Sequence, residues 1–219
     1  MVSLTPVLEL SPGTYSQRER SLPAGSAEEN PSGWQAYWSE SLADAGIHRL
    51  LPWRAGSWLV PLPRLSSDSV LGIIVRCHVQ DVSDWSNELG ALAGGYILSV
   101  PGEALLPGCC GDLTNLVEWR KASTDAGEAW QMVWIGHPWT FVRRSGDHLQ
   151  FAKPSENNDP IDVVAGISVS KDDLAEAIVS AELEVRAFAA RLLAVTRELQ
   201  PPIAHTEVVE ALTGIRLPD

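Results

Sequence analysis

Two adjacent cysteines, Cys109 and Cys110, stand just before an aspartate, Asp112, and a histidine, His137, sits inside the string Trp134-Ile135-Gly136-His137-Pro138-Trp139. These residue types have the most chemistry open to them in the chain. A thiol lying just before a helix N-terminus has its thiolate favoured by the helix dipole. With His137 as general base and Asp112 as the carboxylate that orients it, they compose a Cys-His-Asp nucleophilic set. Three considerations weigh against that role. No local signature of a cysteine-nucleophile family surrounds the thiols, and Asp112 is the natural N-cap of the helix that follows, where its oxygens meet backbone N–H groups. A reduced cysteine also packs most often as a small buried hydrophobe. The expected setting of Cys109, Cys110 and His137 is therefore the interior of the scaffold, and the chain is expected to have no catalytic residues.

A metal is not expected either. Adjacent side chains diverge unless the backbone turns sharply, whereas structural zinc sites separate paired cysteines by roughly two to four residues. Neighbouring cysteines also fall short of the spacing an unstrained disulfide needs, and the chain has only three cysteines, Cys77 being the other. Reduced thiols and a reducing, cytoplasmic setting follow. Among the remaining titratable residues, His78 lies in an apolar run and reads as a core histidine. His48, His148 and His205 have no partner legible from spacing. Glu28-Glu29 and Asp172-Asp173 read as solvated charge.

Nine tryptophans supply a large aromatic area, which can fill a core or anchor a partner. Trp130, Trp134 and Phe141 follow strand-like alternation and are expected to face the core. Trp53, Trp58 and Trp139 stand beside Pro and Gly in predicted loops. Together with His137 they are the expected binding residues.

Composition narrows the classes. The formal net charge is −12 at pH 7 and no basic run exceeds two residues (Arg120-Lys121, Arg143-Arg144). Polyphosphate binding draws its affinity from clustered Lys and Arg, so nucleic acid is disfavoured and a basic protein partner is favoured. No Gly-rich nucleotide fingerprint is present, so no cofactor is expected. No apolar run approaches the ~18 residues of a membrane span, and no basic segment precedes an apolar stretch at the start, which argues against a signal peptide.

The elements that must position these residues can be read in order. Residues 1–32 predict an edge strand at Val7–Leu10 and an exposed connector; residues 33–219 predict a single domain. Trp34, Trp38 and Leu42 mark one face of a helix that closes near Gly46. Ser57–Pro61 predicts a short strand, and the continuous β-branched run Val70–Val79 a central strand. Asp81–Ala93 predicts a short helix. Then come a hairpin of Tyr96–Val100 and Glu103–Leu106 about Pro101-Gly102, a helix from Asp112 to Lys121, a strand over Trp130–Ile135 and a hairpin over Trp139–Phe151.

The strongest periodicity is the last. Leu174, Ile178, Ala181, Val185, Phe188, Leu192, Val195 and Leu199 form an unbroken apolar stripe. Ser170 and Asp173 supply a capping box, and Pro201-Pro202 end a helix of about 28 residues. A short helix over Thr206–Thr213 closes the chain. Mixed rather than alternating helix and strand signals indicate an α+β fold with a mainly antiparallel or mixed sheet, flanking helices and a long amphipathic C-terminal helix.

At Cys109-Cys110-Gly111-Asp112-Leu113 and at Trp134–Trp139 the chain resembles a set of uncharacterised bacterial cytosolic proteins. They carry a strand, a CCGDL turn, a helix, a WIGHPW segment, a hairpin and a long amphipathic helix. The resemblance covers roughly residues 94 to 195. More distantly, these proteins are similar to SUKH-type immunity proteins, which neutralise bacterial toxins. That resemblance implies an α+β fold, a non-catalytic binding role, and a toxin domain, basic in charge, as the partner. The alternative from the residues themselves is a cysteine-dependent enzyme using Cys109 or Cys110 with His137.

Overall fold

The structure, a computed structural model, describes residues 1–161 and 163–218. In chain order its elements are β1 (Ser3–Glu9), α1 (Pro12–Tyr15), α2 (Pro31–Asp44), β2 (Leu59–Pro61), α3 (Asp68–Val79), β3 (Gly94–Val100), β4 (Glu103–Leu105), α4 (Leu116–Asp125), β5 (Gln131–Val133), β6 (Thr140–Ser145), β7 (His148–Ala152), β8 (Ala165–Ser170), α5 (Lys171–Thr196) and α6 (His205–Thr213). The eight strands make two four-stranded sheets, ordered β2-β1-β3-β4 and β5-β6-β7-β8. The fold is α+β, with flanking helices and the long C-terminal helix that the periodicity anticipates. Among the described residues, no helix is long and apolar enough to cross a membrane.

The chain divides into two compact units. One takes residues 1–7 and 93–186, the other residues 8–92 and 187 onward. The expected boundary near residue 32 is not among these divisions.

In the first unit, β3 and β4 pair antiparallel with Val100 opposite Glu103 and Leu98 opposite Leu105. Pro101-Gly102 forms the turn, with Gly102 at φ +87. The second sheet is antiparallel throughout. Gln131 pairs with Val142, Ser145 with His148 about the Gly146-Asp147 turn, and Leu149 with Val169. One face carries Val142, Leu149, Phe151, Ile167 and Val169, all buried, as strand alternation requires, and Phe141 is buried on the other face. The buried indole of Trp119, on α4, packs on Phe151 with ring centroids 5.4 Å apart.

In the second unit, Asn30 caps α2 by accepting a hydrogen bond from the Gly33 N–H at 3.0 Å. Trp38 is buried and its indole N–H donates to the Leu10 carbonyl at 2.8 Å, so the aromatic area is hidden with its one polar atom satisfied. Val208, Val209 and Leu212 of α6 are buried, and α6 ends on Gly214 in the left-handed conformation at φ +70. From the C-terminal half of α5, Arg191 donates to the Leu65 carbonyl at 2.6 Å and to Asp68 at 2.7 Å.

Several expectations are corrected. Val70–Val79 is helical, not a central strand. Ser67 caps α3, its hydroxyl accepting from the Val70 N–H at 3.4 Å, and Leu71, Ile74 and Val75 are buried at helical spacing. A continuous apolar run of this length suits either state; the Ser-Asp start and the ten-plus residues favour helix. Asp81–Ala93 forms no helix, because side chains claim its backbone: Glu88 accepts from the N–H groups of Ser83 and Asp84 and Asp84 from that of Ser86. Such local bonds compete with helical ones. Of the expected edge strand Val7–Leu10, residues 7–9 belong to β1, which lies inside its sheet and not at an edge. The strand β8 was not foreseen. In α5 the stripe from Leu174 to Val195 is buried at all seven positions, but the helix stops at Thr196, before Leu199.

Candidate functional site

The CCGDL and WIGHPW strings both lie in the first unit, and they are tied backbone to backbone. The Cys109 N–H donates to the His137 carbonyl at 2.8 Å, and the His137 N–H returns to the Cys109 carbonyl at 2.9 Å. Gly108 N–H donates to Ile135 O at 2.9 Å. The close approach needs glycine. A Cβ added at Gly136, itself at φ +102, would lie 2.5 Å from the Gly108 carbonyl oxygen, and one added at Gly108 would lie 2.4 Å from that of His137. A second tie follows: Trp139 and Ser155 exchange both backbone hydrogen bonds at 2.8 Å. Three irregular segments, 107–112, 134–139 and 153–157, are thereby joined without belonging to the sheets.

Cys109 and Cys110 are both exposed. The expected interior setting of the thiols is overturned. Cys110 adopts φ +65, a left-handed conformation uncommon outside Gly, Asn and Asp, and this turn ends the strand-like alternation that would send neighbouring side chains to opposite faces. The Cys110 thiol points at the Cys109 sulfur, Sγ to Sγ 3.9 Å. His137 is about two-fifths exposed, and its Nε2 lies 3.2 Å from the Glu156 carboxylate. An antiparallel pair that exchanges both hydrogen bonds carries its two side chains on one face, so Cys109 and His137 share a face.

Asp112 does not serve His137. Its carboxylate accepts from the Thr114 N–H at 2.7 Å and from the Thr114 hydroxyl, while Asn115 accepts from the Asp112 N–H at 2.9 Å. This reciprocal capping box opens the turn leading into α4, as the cap reading of Asp112 anticipates. The buried Tyr96 hydroxyl donates to the Leu113 carbonyl at 2.6 Å, pinning the same turn, and burial raises that phenol above its ordinary pKa. The catalytic set with Asp112 as orienter is therefore not assembled. The carboxylate at His137 is Glu156, which no motif or spacing singles out; it lies in the polar run Ser155–Asp159.

The aromatic residues divide as follows. Trp139 is half-buried, with its ring centroid 5.1 Å from that of Trp134 and 5.7 Å, edge-on, from the His137 ring. Trp134 is exposed at 37%, which corrects the expectation that it faces the core; Trp130 is half-buried beneath the Arg143 guanidinium, 4.6 Å from the ring centroid. Phe141 is buried as expected. Trp53 and Trp58 belong to the second unit. Trp53 is half-buried with the Arg54 guanidinium 5.5 Å from its ring, and Trp58 sits 6.4 Å from Trp34.

Among the described residues, no group of three or more His, Cys, Asp or Glu side chains gathers as a metal site. A cavity of about 340 Å³ in the first unit is lined by other residues, including Leu105, Phe151, Lys153 and Ile167. What the paired strings form is a surface with two exposed thiols, an imidazole beside a carboxylate, and two neighbouring indoles. Comparison of the chain with protein-family models, with curated proteins and with solved structures returned no match.

Proposed function

We propose that this chain is a non-catalytic, cytosolic binding protein of the immunity type, which neutralises a basic bacterial toxin domain by forming a stoichiometric complex. The observation that carries it is the Trp134–His137–Trp139 surface, whose backbone is stapled to the CCGDL turn and to Ser155. Aromatic groups held rigid before binding lose little entropy when a partner covers them, and such residues dominate interface energetics. The net charge of −12 favours rapid encounter with a cationic partner. The capping role of Asp112 removes the orienting carboxylate that the enzyme alternative assigns to it.

The test is whether the gene beside this one encodes a toxin, followed by co-expression of the two products. Growth should be rescued by the wild type and lost with Trp139→Ala and Trp134→Ala, while both variants keep the wild-type circular dichroism. A neighbouring gene product that is harmless when expressed alone sinks the proposal.

A cysteine-dependent enzyme is the second reading, favoured by the exposure of Cys109 and Cys110 and by the placement of His137 across from Cys109. Its orienting carboxylate would be Glu156. Slower alkylation of Cys109 in a His137→Ala variant would support that reading, and an unchanged rate would remove it.

A further inference from the structure

Each reading above uses at most one thiol, and neither uses the two as a pair. Two exposed sulfurs stand 3.9 Å apart, and the chain at Cys109 is clamped to His137 by two hydrogen bonds. What such a pair can take is decided by distance. A direct disulfide needs sulfurs about 2.05 Å apart and Cα atoms usually beyond about 4.4 Å, whereas adjacent Cα atoms are held at about 3.8 Å by a trans peptide. Oxidation to a disulfide would halve the sulfur separation and strain the linking peptide. A single atom bonded to both sulfurs faces neither demand. Two bonds of about 2.3 Å, the length of a soft metal–thiolate bond, span sulfurs up to about 4.6 Å apart; at 3.9 Å they close an angle of about 116°, which a small rotation of one cysteine side chain narrows to suit a pyramidal trivalent centre without moving the backbone.

The number of donors then chooses the class of atom. A tetrahedral cation such as zinc wants three or four protein ligands, whereas what the turn brings together is two sulfurs 3.9 Å apart. A centre satisfied by two thiolates suits the pair. We propose that Cys109 and Cys110 form a two-thiolate chelating site for a trivalent, thiophilic metalloid of the arsenical class. The chemistry balances with phenylarsine oxide: two As–S bonds form, the As–O bond breaks, and the oxide oxygen leaves as one water carrying both thiol protons. Arsenic stays trivalent and no electrons move. The left-handed turn at Cys110 is what makes the geometry available, since extended neighbours would point their sulfurs to opposite faces.

The probe is phenylarsine oxide, added to the reduced full chain. Intact mass should show one adduct per chain, and the count of reactive thiols in denaturant should fall from three to one. A competing dithiol should reverse the adduct where a monothiol at the same concentration does not. Cys109→Ser and Cys110→Ser should each weaken binding by about 100-fold or more, the gain expected when a second attachment becomes intramolecular; Cys77→Ser should change nothing. Loss of only one thiol in the wild type overturns the proposal, even where a serine variant fails to fold. So does binding within tenfold of wild type by either folded single variant.

Discussion

Gly136→Ala is the sharpest test of the tie between the two strings, because the structure supplies its own control. At Gly136, φ is +102 and an added Cβ would meet the carbonyl oxygens of Gly108 and Cys109 at 2.5 and 2.6 Å. Real Cβ atoms do not approach that closely, and the atoms in the way are backbone, so the segments must part. At Gly102, φ is +87 and an added Cβ would meet nothing within 4 Å. Both substitutions carry the left-handed penalty of about 1–2 kcal/mol. Only Gly136→Ala should also break the Cys109–His137 pair of hydrogen bonds and that from Gly108 to Ile135, each worth about 0.5–1.5 kcal/mol net.

The expectation is about 1 kcal/mol for Gly102→Ala and about 3–5 kcal/mol for Gly136→Ala. Urea unfolding measures the difference. With a slope of about 2 kcal/mol/M, the midpoint should drop by roughly 1.5–2.5 M for Gly136→Ala against about 0.5 M for Gly102→Ala. Equal midpoints for the two variants would refute the claim that close backbone approach at Gly136 holds the strings together.

Three further outcomes are expected. Asp112→Ala should cost about 1 kcal/mol through loss of the cap, with Asp112→Asn recovering most of it in the same urea assay. Glu184 has a buried carboxylate oxygen without a hydrogen-bond partner, and burial raises its pKa above the ordinary 4.5. A raised carboxyl pKa favours the folded state at low pH, an advantage lost as pH rises through the folded value. Glu184→Gln should therefore unfold later than wild type at pH 7, by thermal melting, with the gap closing toward pH 4. Glu182 is the opposite case: hydrogen bonds from Arg186 and then Arg120 hold its carboxyl below 4.5 despite partial burial. Its contribution is present above that ordinary value and fades as pH falls through the folded one, so Glu182→Gln should cost stability at pH 7 and progressively less as pH falls below 4.5.

The unbroken stripe from Leu174 to Val195 was legible as a helix because its period recurs often enough to exclude a strand. The Pro-Gly hairpin between β3 and β4 and the Asp112 cap were legible because turn and cap chemistry act within about four residues. Val70–Val79 carries no period that separates helix from strand, its apolar run being too continuous to choose. Around Asp84 and Glu88 side chains took the backbone donors that a helix would have used.

Sequence alone determined the elements whose signals are local: the α+β character, the long amphipathic helix, the caps and the turns. Tertiary structure decided which atoms meet. Cys109 and His137 lie 28 positions apart in the chain, yet they face each other because glycines at 108 and 136 let two backbones touch. Glu156, from a featureless polar run, reaches the imidazole through the Trp139–Ser155 pair. Exposure of the thiols was settled the same way. Burial and long-range contact depend on where distant segments land, and a residue's own neighbours in sequence carry no record of that.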